Sequence, residues 1–251
     1  MTTRLVLASG EAQPHTVTVP ELLAHYERAG FLYPEKRKRI AALMPEFEAR
    51  WPKLLTAADD LFMMDVMRVD GVVRVSHALC RLSATTMAAH HAANEGVPGG
   101  LFEPLSRQLI AATAIDGVRF VTMFVRPTNR WAGHIARVAD SVTLQGHPGA
   151  LERAYLAARP ADLPPYPTGR AEAVSPVDAV ATADFAKAVW GTERAIGRGA
   201  TDVGWDSSIT VLYATAGIGH ERRMWAVVRG SHIVGLALRT VLSTPLNFSL
   251  L

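Results

Sequence analysis

Apolar residues recur at helical spacing over the first part of the chain, as Val19, Leu22, Leu23 and Tyr26 and again as Ile40, Leu43, Met44 and Phe47. The spacing predicts two helices, with Pro20 in the first turn of one and Gly30-Phe31-Leu32-Tyr33-Pro34 as the break before the other, which is expected from about Pro34 to Arg50. From Leu61 the pattern changes. Two apolar runs, Leu61 to Val69 and Val72 to Cys80, flank Asp70-Gly71, a strong signal for a tight hairpin. Thr85 to Ala93 reads as a third strand. The loop Asn94 to Gly100 then opens an amphipathic helix from Leu101 to about Ile115, with Leu101, Leu105, Leu109 and Ala112 as its expected buried face. The mainly apolar run Val118 to Val125 has the look of a strand buried on both faces, and a helix is expected from Asn129 to Val142.

Five prolines between Arg159 and Pro176 mark an interdomain linker. Beyond it the pattern predicts a helix from Ala179 to Ile196, a strand from Ile209 to Ala216, and a second hairpin from Met224 to Arg229 and His232 to Arg239 around Gly230-Ser231. Both hairpins combine an apolar strand, a basic residue, a tight turn and another apolar strand. An internal repeat and two ordinary hairpins both fit that likeness. Four segments follow: a helical one at 1–57, a sheet-bearing lobe at 58–158, the linker at 159–176 and a second, incomplete half at 177–251. Strands alternating with helices predict an α/β protein with a mixed sheet and flanking helices.

The order hairpin, third strand, glycine loop, helix, strand, together with Gly96-Val97-Pro98-Gly99-Gly100-Leu101 and Asn129-Arg130-Trp131-Ala132, resembles the GNAT superfamily of N-acetyltransferases. The resemblance spans about Leu61 to Gly146. It implies a GNAT-like fold and acyl transfer from acyl-CoA, with acetyl-CoA as the expected co-substrate, to a small-molecule or protein amine. It implies that the amides of Val97, Gly99 and Gly100 hold the cofactor pyrophosphate at a helix N-terminus, where unpaired N–H groups and the helix dipole favour anions. Asn129 would anchor the pantetheine. Arg130, at the start of the following helix, is placed to meet a carboxylate or phosphate.

Acylation of an amine needs a base and a group that protonates the leaving sulfur. His91 or Glu95, on or just after the third strand, is the expected base, and His134 the expected proton donor, since Ala136 stands where the family often has a tyrosine. Alternation along a strand lets only one of His90 and His91 face a cleft. Gly99 and Gly100 are adjacent rather than spaced, and Pro98 lacks an amide hydrogen. These departures keep a second reading open, a non-catalytic ligand-binding or regulatory module on the same fold. A third is an interaction platform using exposed sheet edges.

Composition narrows the classes. With 251 residues, 49% hydrophobic and 20% charged, the chain can bury a globular core. A net charge of +3 is a mild bias towards anionic partners, but the basic residues are scattered apart from Lys36 to Arg39, so nucleic acid is not the expected partner. The single Cys80 excludes an internal disulfide and any multi-cysteine zinc site, and adjacent strand histidines do not converge on a metal ion, so no metal is expected. No apolar run reaches membrane-spanning length and the N-terminus is polar, which points to a cytoplasmic protein without a membrane partner. A homodimer is compatible with the sequence.

Overall fold

A computed structural model describes residues 17–123, 170–173, 179–201 and 207–243. All of these but Met123 belong to one compact unit. The N-terminal part comprises α1 (Val19–Arg28), α2 (Pro34–Ile40), a single 3-10 turn (Ala41–Leu43) and α3 (Met44–Leu55). Thr18 starts α1 with a reciprocal cap: the Glu21 amide donates to Thr18 Oγ1, and the Thr18 amide to Glu21 Oε2 at 2.8 Å. The helix expected from Pro34 to Arg50 is in fact broken at the 3-10 turn and resumes as far as Leu55. Pro45 explains the break, because it has no N–H for the carbonyl four residues earlier and its ring crowds that turn.

The first sheet has the order β1-β2-β3-β4, from β1 (Phe62–Val69), β2 (Val72–Ser83), β3 (Thr86–Asn94) and β4 (Phe120–Met123). Asp70 and Gly71 both take positive φ, 52° and 76°, the geometry of a twist-matched two-residue hairpin turn. Phe62, Met64, Val66, Ala78 and Cys80 face a core shared with Leu22, Tyr26, Phe47, Trp51 and Leu54 of α1 and α3. The intervening positions Asp65 and His77, paired across β1 and β2, meet Arg107 and Gln108 of α4 (Phe102–Thr113). Helices therefore flank this sheet, in the expected α/β arrangement.

Three expectations change here. The buried face of α4 is Pro104, Gln108 and Ala112, while Leu109 is exposed; the helix is anchored by Gln108, whose amide donates to the carbonyls of His77 and Met63. The run read as doubly buried is, over its described residues, a short half-buried β4 with Val121 exposed. It ends the sheet order, with β3 as its described neighbour. Within the stretch read as linker, the proline-free Arg170–Ala173 form a strand, β5, that pairs antiparallel with β6.

The C-terminal part holds α5 (Ala179–Trp190), α6 (Thr192–Gly197), α7 (Ser207–Thr215), β6 (His220–Arg229) and β7 (His232–Leu242), with a second sheet ordered β5-β6-β7. Gly191 divides the single helix expected from Ala179 to Ile196. The strand expected from Ile209 to Ala216 is a helix. Its β-branched start suggested a strand, yet Ile209 and Tyr213, four residues apart, lie on one helical face and enter the α1–α3 core. The second hairpin forms as expected, β6 and β7 pairing from His220↔Leu242 to Arg229↔His232 with a bulge at Val234, where Val227 faces Gly235 and Val228 faces Ile233. No helix among the described residues is long and apolar enough to cross a membrane.

Candidate functional site

The expected base positions lie where β3 departs from regular pairing. Ser76 pairs with Ala93 and Ala78 with His90, which leaves His91 and Ala92 opposite the single residue His77. This is a β-bulge, and His91 takes φ +54° within it. The bulge overturns simple alternation: the rings of His90 and His91 lie with centroids 6.3 Å apart. His91 does not open to solvent, being only 1% exposed. It stacks on Tyr26 at 5.5 Å and meets Trp51 edge-on at 4.8 Å, so its place is within the aromatic core under α1 and α3. That enclosure sets it apart from a base waiting for a substrate amine.

Glu95 is a hub. Its carboxylate accepts from His25 Nδ1 at 2.7 Å, from Arg28 Nε at 3.1 Å to each oxygen, and from Arg74 Nη1 at 2.7 Å. The side chain is 5% exposed, whereas Arg28 and Arg74 are 41% and 42% exposed. Burial raises the Glu95 pKa, but the bonds from Arg28, His25 and Arg74 together outweigh it and bring it down to about 2. A carboxylate so stabilised is a weak proton acceptor at neutral pH, and each of its oxygens is already engaged. In this arrangement Glu95 forms an electrostatic tie joining α1, β2 and the loop after β3. Burial lowers the pKa of His25 more than the Glu95 bond raises it, so His25 serves the carboxylate as a neutral N–H donor.

The glycine loop uses its own amides. Asn94 Oδ1 accepts from the Val97 N–H at 2.8 Å, and Asn94 Nδ2 donates to the Val97 carbonyl at 2.8 Å. The Gly100 N–H donates to the Val97 carbonyl at 3.0 Å, and the Phe102 N–H to the Gly99 carbonyl at 2.9 Å. Two of the three amides expected to hold pyrophosphate, those of Val97 and Gly100, are therefore engaged inside the loop. Its glycines answer to backbone geometry: Gly99 has φ +68°, and a Cβ on Gly100 would lie 2.8 Å from Val75 Cγ2 and 2.9 Å from Val97 Cβ. No side chain caps the first turn of α4, and Glu103 places an acid there.

On the α4 side of the sheet, Gln108 Nε2 donates to carbonyls, so Gln108 Oε1 is the acceptor for His77 Nδ1–H. That bond fixes the His77 tautomer and leaves a lone pair on Nε2, which has no hydrogen-bond partner among the described residues. Burial holds the His77 pKa at about 4 despite the Gln108 bond. His90 is also held at about 4, by burial and by the nearby His77. Asn129, Arg130 and His134 lie outside the described residues. Among the described residues no group of three His, Cys, Asp or Glu is placed to hold a metal ion.

His25, Arg28, Arg74 and Asn94 carry the geometry at this site without having been singled out in the sequence. For His25 a signal existed, since a polar residue three positions after Leu22 falls within the apolar stripe of α1. For Arg74 and Glu95, 21 positions apart, the strand pairing alone brings them together.

No family model matches the chain, and no curated protein sequence does. A solved structure, glucosamine-6-phosphate N-acetyltransferase from Arabidopsis thaliana, is similar at 8% identity and a TM-score of 0.38, over 61% of this chain and 98% of that one. A likeness this loose decides neither fold nor activity, and both rest on this chain's own residues.

Proposed function

We propose that the chain is a ligand-binding or regulatory module with a GNAT-like order of elements, and that the loop ahead of α4 does not serve acyl transfer. The observation that carries this reading is the loop's internal bonding, with Val97 N–H on Asn94 and Gly100 N–H on the Val97 carbonyl. An amide already satisfied within its loop gains little from a phosphate, because the new bond replaces an existing one. The clamped Glu95 and the enclosed His91 support the same reading from the chemical side.

A second reading, an acyl-CoA-dependent N-acyltransferase acting on a small-molecule or protein amine, is favoured by the element order and by the first turn of α4, which no side chain caps. In it Asn129, Arg130 and His134 keep the roles that the resemblance implies. In both readings the single cysteine supports a cytoplasmic setting, and neither a membrane nor nucleic acid is a partner.

Thermal denaturation with acetyl-CoA, longer acyl-CoAs and free CoA, together with an assay for released thiol in the presence of amines, separates the two. A ligand at a hundred times its Kd adds about 2.7 kcal/mol, a shift of several degrees at this size. The proposal expects no saturable shift and no thiol release. A shift with turnover would establish the second reading.

A further inference from the structure

We propose that Arg28 and Arg74, two arginines oriented by the single carboxylate of Glu95, form a binding site for the carboxylate group of a small ligand. The inference deepens the binding-module reading and rests on it, since it takes Glu95 as a fixed tie and not as a base. Arg28 stands in the last turn of α1, and Arg74 is the extra residue of a bulge in β2, where Val73 pairs with Arg68 and Val75 with Met67. A bulge gives up a ladder position and re-aims a side chain. The Arg74 guanidinium reaches the carboxylate that Arg28 also holds, at 2.7 Å from Arg74 Nη1 and 3.1 Å from Arg28 Nε.

Charge decides what the pair can take. Arg37, Arg68 and Arg223 each face a carboxylate of their own, in Glu27, Glu21 and Glu221. Arg28 and Arg74 share one. Glu95 is ionised at neutral pH and the buried His25 is a neutral donor, so one positive charge is left in excess. That excess lies where a ligand can reach it, because both arginines are about two-fifths exposed over the buried Glu95. Arg28 Nη1, and Nε and Nη2 of Arg74, have no partner among the described residues. Their guanidiniums are already held in place, so a ligand does not have to order them. A carboxylate fits on both counts: its single charge balances the excess, and its two oxygens match the donor fork of a guanidinium. A phosphate dianion would overbalance the pair.

The test is a titration of the full chain at pH 7 and constant ionic strength with acetate, inorganic phosphate or chloride, read at the Nε–H signals of Arg28 and Arg74 by NMR. Acetate is expected to move both signals saturably, with a dissociation constant on the order of 10 mM, and phosphate to bind more weakly. Arg74→Gln is expected to weaken acetate binding at least roughly fivefold at Arg28, and Arg74→Lys, which keeps the charge without the fork, nearly as much. Arg68→Gln, which removes a paired arginine from the neighbouring strand, should leave it unchanged. The wild-type titration needs no variant to fold. No saturable shift with acetate, an equal response to chloride, phosphate binding at least as tight as acetate, or full binding by Arg74→Gln would each overturn the proposal. These titrations contain no CoA, so their failure is distinct from that of the binding-module reading, which acyl-CoA turnover would overturn.

Discussion

Replacing Glu95 with glutamine tests the reading of this residue as a tie between elements. The substitution preserves shape but removes the charge and turns one acceptor into a donor that faces an arginine or His25. A hydrogen bond involving a charged group contributes about 1.5–3 kcal/mol when buried, and half-exposed partners contribute at the lower end. Arg28 and Arg74 are such partners, while His25 is fully buried, so the expected net loss is about 2–3 kcal/mol. At 251 residues this lowers Tm by about 4–12 °C. The loss must also depend on pH. The native carboxylate titrates near 2 against 4.5 for the unfolded chain, so the unfolded state binds the proton first and the native advantage disappears as pH falls from about 4.5 to about 2. Urea denaturation of the wild type and Glu95→Gln at pH 7 and at stepped acid values reads both effects. A difference below about 0.5 kcal/mol at pH 7, or one that persists undiminished at the acid end, would refute the reasoning.

Other outcomes follow from the same geometry. Gly100→Ala drives a Cβ into Val75 and Val97 and is expected to cost about 1–3 kcal/mol, measured by chemical denaturation; an unchanged midpoint would contradict the packing. Cys80 is buried, and burial pushes its thiol up to about 12 despite the bond with Tyr213, so it should resist alkylation in the native protein and react promptly in denaturant. His77 should show the Nδ1–H tautomer by nitrogen NMR at pH 7 and titrate near 4; a midpoint near 6.5 would contradict its burial against Gln108. Because the unfolded imidazole takes its proton near 6.5, His77 also adds acid lability that sets in as pH falls below that value.

The sequence reveals the parts of this fold that local chemistry dictates. Asp70-Gly71 specifies its turn because both positions tolerate positive φ, and Pro20 and Pro34 open helices because their missing donors are not needed there. It conceals what depends on partners distant in the chain. Ile209 to Ala216 carries a strand-like run, but the α1–α3 core accepts Ile209 and Tyr213 from a single helical face. At the candidate site, the pattern correctly locates a strand, a glycine loop and a helix in order. It does not reveal the bulge that turns His91 into the aromatic core, nor the three partners from α1 and β2 that converge on Glu95. A residue type suited to base chemistry becomes a structural tie once its neighbours are in place.

The central claim, that the loop ahead of α4 satisfies its own amides, is tested most directly by amide NMR of Val97 and Gly100 during titration with acetyl-CoA. The account expects both signals to stay in place and both amides to exchange slowly with solvent. Saturable shifts of the two together would contradict it, and would return this loop to the role of a phosphate cradle.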